Sequence, residues 1–213
     1  MTTTRIIKLE NGRGLTAEEV GALAGAATAC KVLAFPTDTV YGLGSTALVK
    51  AAARRLYQIK ERPSLKPLPV FVPSAQAAQR WAQWTPLAQA LAERFWPGPL
   101  TLVLKPTAEG RLLTFAEYAT IALRVPAHAE LLRVIEASGV PWAQTSANRS
   151  GQPPLTDAAE VIRQFDGAVD WIVDAGPVAG AASTIVDATG SSPRLLREGR
   201  LSAADILSAG ANR

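Results

Sequence analysis

Three cations within one short segment of this 213-residue chain could bind a polyphosphate. The segment KERPSLK carries Lys60, Arg62 and Lys66, and Pro63 limits the freedom of the backbone between them. Arginine bonds a phosphate in a two-pronged fork, and lysine acts as a mobile point charge, so this group of side chains suits a polyphosphate. The alternative is that Lys60 and Arg62 only complement the negative end of a helix dipole, which is worth about 0.3–1 kcal/mol each.

Two other segments present hydroxyl and amide groups where an apolar run ends. PTDTVYGLGS offers Thr37, Asp38, Thr39 and Tyr41, and its glycines would permit close approach of a ligand. QTSANRSG follows a second apolar run and offers its own hydroxyl and amide groups. Ligands of α/β sheets commonly bind beyond strand ends. Each segment, taken alone, can equally be a polar turn that satisfies its own backbone.

Polar residues interrupt three more apolar runs in the same way. Arg124 lies in ALRVP, Ser183 opens STIVDATG, and Arg197 lies in LLREG. An arginine in an apolar strand needs a protein carboxylate or an anionic ligand to offset its desolvation. A structural salt bridge is the ordinary explanation for one such arginine, but five polar interruptions at strand ends together favour a binding site.

Composition excludes several classes of function. Lys plus Arg outnumber Asp plus Glu by 22 to 18, which mildly favours anionic partners such as nucleotides or RNA. Cys30 and His128 are the single cysteine and the single histidine, so an intramolecular disulfide, cysteine zinc sites and two-histidine metal motifs are excluded, and we expect no metal held by protein side chains. One cysteine and no apolar stretch of roughly 20 residues indicate a cytoplasmic protein without a membrane span.

The elements that position these residues follow from hydrophobic periodicity and turn residues. Two capping boxes, Thr16 with Glu19 and Ser202 with Asp205, predict helix starts. Strands are predicted at 5–9, 31–36, 67–72, 100–106, 119–126, 140–145, 170–176, 183–190 and 193–199. Helices are predicted at 16–29, from Leu48 through Ile59 to a stop at Pro63, and at 85–95, 128–138, 156–165 and 202–209.

This interleaving predicts an α/β (α+β) fold, a single domain over 1–213 built on one twisted, open, mixed sheet with flanking helices. Residues 105–120 form the loosest segment and are interpreted as an internal excursion. Strand order cannot be read from such a pattern.

In chain order, FPTDTVYGLG, KERPxxKPL, WPGPLTLVL, ALRVP, TSANxSG, STIVD and LREG closely resemble the YrdC/TsaC family, the L-threonylcarbamoyladenylate synthases. The resemblance covers about residues 5–205. Its most specific part is K-x-R followed far downstream by S-x-N, matched here by Lys60, Arg62, Ser146 and Asn148. The resemblance implies a YrdC-like fold with a basic concave cleft, without the additional C-terminal domain of longer relatives.

The resemblance also implies an activity. Family members are nucleotidyltransferases that condense L-threonine, bicarbonate and ATP, with Mg²⁺, into threonylcarbamoyl-AMP and pyrophosphate. The product serves N6-threonylcarbamoyladenosine formation at tRNA position 37. The expected partners are therefore a threonylcarbamoyl transferase complex and, weakly, tRNA itself.

The family's site residues carry over by position. Lys60 and Arg62 are implied in catalysis. The implied ATP-binding residues are Lys60, Arg62, Thr120, Ser146, Asn148 and Arg197, and the implied threonine-binding residues are Thr37, Tyr41, Arg124 and Ser183. Several relatives have a histidine in the strand after K-x-R, where this chain has Phe71, so that contact is not carried over.

Two alternatives belong to other classes. One is a non-catalytic RNA-binding module of translation, although the chain lacks the basic stripe and aromatic platform of single-strand binders. The other is a YciO-like paralogue of altered activity, although such paralogues usually depart from K-x-R and S-A-N. Because Lys60 and Arg62 are expected at an exposed helix exit, their replacement by alanine is predicted to weaken nucleotide use far more than stability.

Overall fold

A continuous mixed sheet forms the centre of the computed structural model, which describes residues 3–61, 67–113 and 118–211. Its strands are β1 (Arg5–Lys8), β2 (Leu33–Phe35), β3 (Gly42–Thr46), β4 (Val70–Phe71), β5 (Ala82–Gln83), β6 (Leu100–Pro106), β7 (Ile121–Arg124), β8 (Trp142–Ser146), β9 (Trp171–Asp174), β10 (Thr184–Asp187) and β11 (Arg194–Arg197). The order is β1-β9-β2-β3-β8-β4-β7-β6-β10-β11, and β5 pairs with β6. The sheet contains both parallel pairs, such as β6 with β10, and antiparallel pairs, such as β3 with β8, which confirms the predicted mixed sheet.

Helices cover both faces of this sheet. They are α1 (Ala17–Thr28), α2 (Lys50–Ile59), α3 (Ala75–Ala78), α4 (Pro86–Phe95), α5 (Ala129–Ser138), α6 (Ala158–Phe165) and α7 (Ala203–Ala211). Side chains alternate along a strand, so Leu33 and Phe35 pack in one cluster with α1 and α5, whereas Ala34 belongs to a second cluster with α2, α4 and α6. The described helices include none that is long and apolar enough to cross a membrane.

The predicted helix starts at both ends of the chain are confirmed. The Thr16 hydroxyl accepts from the Glu19 backbone N–H, and the Glu19 carboxylate accepts from the Thr16 N–H, so α1 begins with a full capping box. Ser202 and Asp205 form the same reciprocal pair before α7. His128, the first residue of the helix predicted at 128–138, caps α5 by accepting from the N–H of Leu131 at 3.3 Å.

The glycines of PTDTVYGLGS lie in a strand and not in the turn that the sequence suggested. Residues 42–46 form a buried strand between β2 and β8. A Cβ on Gly42 or Gly44 would lie 2.7 or 2.8 Å from ring carbons of Phe35, so the absence of a side chain at both positions leaves the space that the Phe35 ring occupies. Because the chain is still in this strand at Thr46, α2 begins only at Lys50, and Leu48 lies before it with 43% of its surface exposed.

Residues 105–120, which the sequence suggested as the loosest segment, are only partly irregular. β6 runs to Pro106, and Gly110–Leu113 forms a 3-10 turn, while residues 114–117 lie outside the described residues. The short elements α3 and β5 were not predicted, because four and two residues are too few to show a hydrophobic period.

Candidate substrate-binding cleft

Five of the polar segments meet at one cleft. Its empty volume, including the open mouth, is about 720 Å³, which lies in the usual range for small-molecule sites. The lining residues are Thr37, Val40, Tyr41, Gly42, Pro67, Pro69, Phe71, Arg124, Gln144, Thr145, Ser146, Pro154, Ala182, Ser183, Ile185 and Arg197. The sheet register explains part of this convergence, since Gly42 of β3 lies opposite Ser146 of β8.

Lys60 joins the K-x-R and S-x-N segments at the edge of this cleft. Its ammonium donates to the Ser146 carbonyl at 2.6 Å and to Asn148 Oδ1 at 2.8 Å. The N–H of Ser150 donates to the Lys60 carbonyl at 3.0 Å, so the downstream loop packs against the end of α2. The expectation that Lys60 is exposed was therefore wrong, because this loop leaves only 4% of the residue accessible. Arg62 lies outside the described residues.

Asn148 organises its own loop. Its Oδ1 accepts from Lys60 and from the Ser146 hydroxyl at 2.6 Å, and its amide donates to the carbonyls of Arg149 and Gln152. Arg149 ties the loop further by donating to Glu61 and to the Ile59 carbonyl. The loop is thus fixed by internal bonds, and Ser146 is the member of S-x-N that lines the cleft.

Arg124 is a buried cation in the cleft wall, 3% exposed. Its Nη2 lies 2.6 Å from Asp38 Oδ1, its Nη1 donates to Thr39 Oγ1 at 3.2 Å, and its Nε donates to the Gly98 carbonyl at 2.9 Å. Burial lowers the pKa of Arg124 and Asp38 opposes the shift, yet a guanidinium stays protonated in proteins. Within the described part of the chain these three bonds use three of its five N–H groups, which leaves two for an anion at the cleft.

Thr37 and Tyr41 line the cleft, but their hydroxyls have protein partners. Thr37 Oγ1 donates to the Val40 carbonyl at 2.6 Å and accepts from the N–H groups of Thr39 and Val40, so the polar-turn interpretation holds for it. The Tyr41 hydroxyl donates to the Gly176 carbonyl and accepts from the Ala175 N–H. Burial raises the pKa of Tyr41 to about 12. The Tyr41 hydroxyl therefore anchors the segment after β9.

Ser183 and Arg197 form the opposite wall. Arg197 Nη2 donates to the Ser183 carbonyl at 2.7 Å and to its hydroxyl at 3.2 Å, and the Ser183 hydroxyl shares a 3.0 Å bond with that of Thr101. Burial lowers the pKa of Arg197. The antiparallel pairing of β10 with β11 brings these residues together, which places a second guanidinium on the cleft.

Thr120, a candidate ATP-binding residue, does not line this cleft. It lines a smaller cavity of about 280 Å³ that touches the first through Pro67. Sequence reasoning did not single out Gln144, which lines the cleft, or Gly98 and Thr101, which hold Arg124 and Ser183. In the sequence these three residues stand out only as members of the segments QTSANRSG and WPGPLTLVL. The described residues contain no cluster of three or more His, Cys, Asp or Glu side chains that could hold a metal ion.

An open mixed sheet with a cationic cleft at its strand ends is typical of α/β proteins that bind small anionic ligands. The Sua5/YciO/YrdC family model, which carries the description telomere recombination, matches residues 27–199. The chain therefore belongs to this family, and the resemblance seen in the sequence is confirmed.

Individual relatives agree with this placement. A threonylcarbamoyl-AMP synthase of Pyrococcus abyssi is 44% identical over 179 residues, which are 83% of this chain and 52% of that protein. The chain thus spans about half the length of this curated relative. A crystal structure of P. abyssi Sua5 complexed with L-threonine has a TM-score of 0.88 and 38% identity, covering 98% of this chain and 61% of that one. Escherichia coli YciO has a TM-score of 0.86 at 25% identity, covering 97% and 100%.

Proposed function

We propose that this protein is an L-threonylcarbamoyladenylate synthase. The observation that carries the proposal is the convergence of Arg124, Ser183, Arg197 and Ser146 on one cleft, with Lys60 bonded to Ser146 at its edge. Family membership supports it, as do the name of the P. abyssi relative and the threonine complex of P. abyssi Sua5. The class of enzyme we propose is a nucleotidyltransferase.

The proposed reaction joins three small molecules. The threonine amine and bicarbonate give a carbamate and water. A carbamate oxygen then attacks the α-phosphorus of ATP, the bond from that phosphorus to the bridging oxygen breaks, and pyrophosphate leaves. Such a displacement depends mainly on positioning and on neutralising phosphate charge, and it needs no protein nucleophile.

The cleft supplies groups for both ends of this reaction. The free N–H groups of Arg124 would bind the threonine carboxylate, with Thr37 and Ser183 beside it. Lys60, Arg62, Ser146, Asn148 and Arg197 are proposed for ATP, with Lys60 and Arg62 neutralising the charge that develops on the phosphates. We propose that ATP enters as its Mg²⁺ complex, in which phosphate oxygens and water hold the ion.

The product would pass to other proteins. We propose that threonylcarbamoyl-AMP is consumed by a threonylcarbamoyl transferase complex acting at tRNA position 37, in the cytoplasm. The basic cleft would contact tRNA only weakly, because its cations are already occupied by substrates.

The test is pyrophosphate release by the pure protein with MgATP. We expect release only when L-threonine and bicarbonate are both present, and we expect carbon-labelled bicarbonate to appear in a product with the mass of threonylcarbamoyl-AMP. Release that continues unchanged without threonine would refute the assignment.

A YciO-like protein of altered activity is the second candidate, because this chain covers the whole of the E. coli YciO structure. That candidate predicts nucleotide binding without threonine-dependent pyrophosphate release.

A further inference from the structure

The geometry points to Asp38 as a positioning residue, one that holds Arg124 ready to bind the carboxylate of the amino-acid substrate. This inference rests on the proposed function and deepens it. Asp38 is outside the set of residues that line the cleft, and its carboxylate reaches the cleft through Arg124.

Three anchors fix the guanidinium of Arg124 from different directions. Asp38 holds Nη2, Thr39 holds Nη1, and the Gly98 carbonyl holds Nε. By this count one N–H on each terminal nitrogen is without a partner among the residues described. Two terminal nitrogens of one arginine can bind a carboxylate in a fork, but only if the plane of the guanidinium is fixed. Asp38 supplies the one charged anchor.

The charges around Arg124 explain why such an anchor is needed. Burial is the main cause that lowers the pKa of Arg124, and Arg197 and Arg200 lower it further, whereas Asp38 raises it. Arg200 also donates to the main-chain carbonyl of Asp38 at 2.7 Å. Two further guanidinium groups therefore repel that of Arg124, and the Asp38 carboxylate offsets this repulsion. Without that carboxylate, repulsion would drive the side chain of Arg124 away from the other two and out of its buried position.

The second carboxylate oxygen of Asp38 bears on whether this residue serves substrate binding or only the stability of the fold. Oδ2 is buried and has no hydrogen-bond partner in the described part of the chain. A buried carboxylate oxygen without a partner lowers stability, and replacing both members of a buried ion pair by apolar residues often costs little. An arrangement that stabilises the fold poorly while fixing a cleft arginine is better explained by substrate binding than by folding.

The test replaces Asp38 by its neutral isostere. Asp38→Asn retains one acceptor oxygen for Arg124 and removes the charge. We expect the KM for threonine to rise at least about tenfold and the KM for ATP to change less than about twofold. The unfolding midpoint should fall, because the buried guanidinium loses its charged partner, so the split between the two KM values is the readout that separates a positioning role from a structural one. Asp38→Glu, which keeps the charge, should recover part of the affinity for threonine.

Asp187 provides a matched control. Its Oδ2 lies 2.7 Å from Arg194 Nη2, and its side chain is 13% exposed, compared with 2.6 Å and 12% for Asp38. Asp187→Asn should leave both KM values unchanged.

The outcomes distinguish the inference from the function on which it rests. If the wild type shows threonine-dependent pyrophosphate release but Asp38→Asn keeps the wild-type KM for threonine, the inference is wrong and the proposed function stands. Equal rises in both KM values would also contradict it. If Asp38→Asn does not fold, Asp38→Glu decides instead, and a rise in its KM for ATP as large as the rise in its KM for threonine would overturn the inference. If the wild type shows no threonine-dependent release, the proposed function fails and the inference falls with it.

Discussion

At the scale of single residues, Lys60 shows how tertiary context changes the meaning of a charged side chain. A lysine at a helix exit is usually solvated, and the sequence offered the helix dipole as its ordinary partner. The structure instead surrounds its ammonium with the Ser146 carbonyl and Asn148 Oδ1. Because these acceptors come from a loop more than 80 residues away, no local pattern could reveal the burial.

Lys60→Met is therefore expected to affect both stability and nucleotide binding. Methionine keeps the apolar part of the side chain but removes the ammonium donor. The buried acceptors on Ser146 and Asn148 then lose their hydrogen bonds from residue 60. The free energy of unfolding should fall by about 1–3 kcal/mol in urea titration, and the KM for ATP should rise. Lys8→Met is the control, since the side chain of Lys8 is 61% exposed, and it should change stability by less than about 0.5 kcal/mol. Wild-type stability in Lys60→Met would restore the original expectation of a purely functional lysine.

At the scale of elements, strand β3 depends on its contact with Phe35. The ring of Phe35 also packs against Phe71 and Trp142, with centroids 6.2 and 5.6 Å away, so it has little room to move. Gly44→Ala would place a methyl group 2.8 Å from Phe35 Cε1 and 3.3 Å from the Ala143 carbonyl. We expect a loss of about 1–3 kcal/mol in the free energy of unfolding, which is typical of overpacking.

A second substitution and a control test that explanation. Phe35→Leu removes the ring, so Gly44→Ala should cost less in the Phe35→Leu background than in the wild type. Gly21→Ala adds the same methyl group in α1, where nothing lies within 4 Å, and it should stabilise the protein by about 0.5–1 kcal/mol through helix propensity. Equal costs of Gly44→Ala in both backgrounds would show that the ring is not the cause.

The start of α1 gives a pH-dependent prediction. The bonds from Arg13, and then the Thr16 N–H, lower the pKa of Glu19 from 4.5 to about 2. Since the pKa is lower in the folded state, the stabilisation is present above pH 4.5 and disappears as the pH falls towards 2. Glu19→Gln should therefore lower the thermal midpoint slightly at pH 7, and the difference from wild type should vanish near pH 2. A difference that persists at pH 2 would mean that the carboxylate charge is not responsible. Because the pair is near the surface, high salt should reduce the effect.

At the scale of the whole molecule, local patterns predicted the parts but not their arrangement. The capping boxes, the long strands and the main helices depend on neighbouring residues, and they were found. Strand order depends on pairings between distant segments, such as β6 with β10, and no local period encodes it. The cleft was foreseeable in part, because polar residues at strand ends are visible in a sequence. The burial of Lys60 and the anchoring of Arg124 by Asp38 required the folded chain.

The cleft also joins distant parts of the sheet, and this predicts how ligands affect the whole fold. It is lined by Gly42 and Ser146, on β3 and β8, and by Ile185 and Arg197, on β10 and β11. In the sheet β4, β7 and β6 lie between these two pairs of strands. A ligand that contacts both pairs resists their separation, and at 100 times its Kd any ligand specific to the folded state adds about 2.7 kcal/mol to the free energy of unfolding.

Hydrogen exchange measures this coupling directly. Addition of threonine with an unreactive MgATP analogue should slow amide exchange at both pairs of strands together, whereas the exposed first turn of α1 serves as the internal control and should be unaffected. Threonine alone should protect the segments around Arg124 and Ser183 first, since these carry the groups proposed for its binding. Protection that stays confined to β3 and β8 with both ligands present would mean that β10 and β11 do not contact the ligands, and the single-cleft arrangement would have to be abandoned.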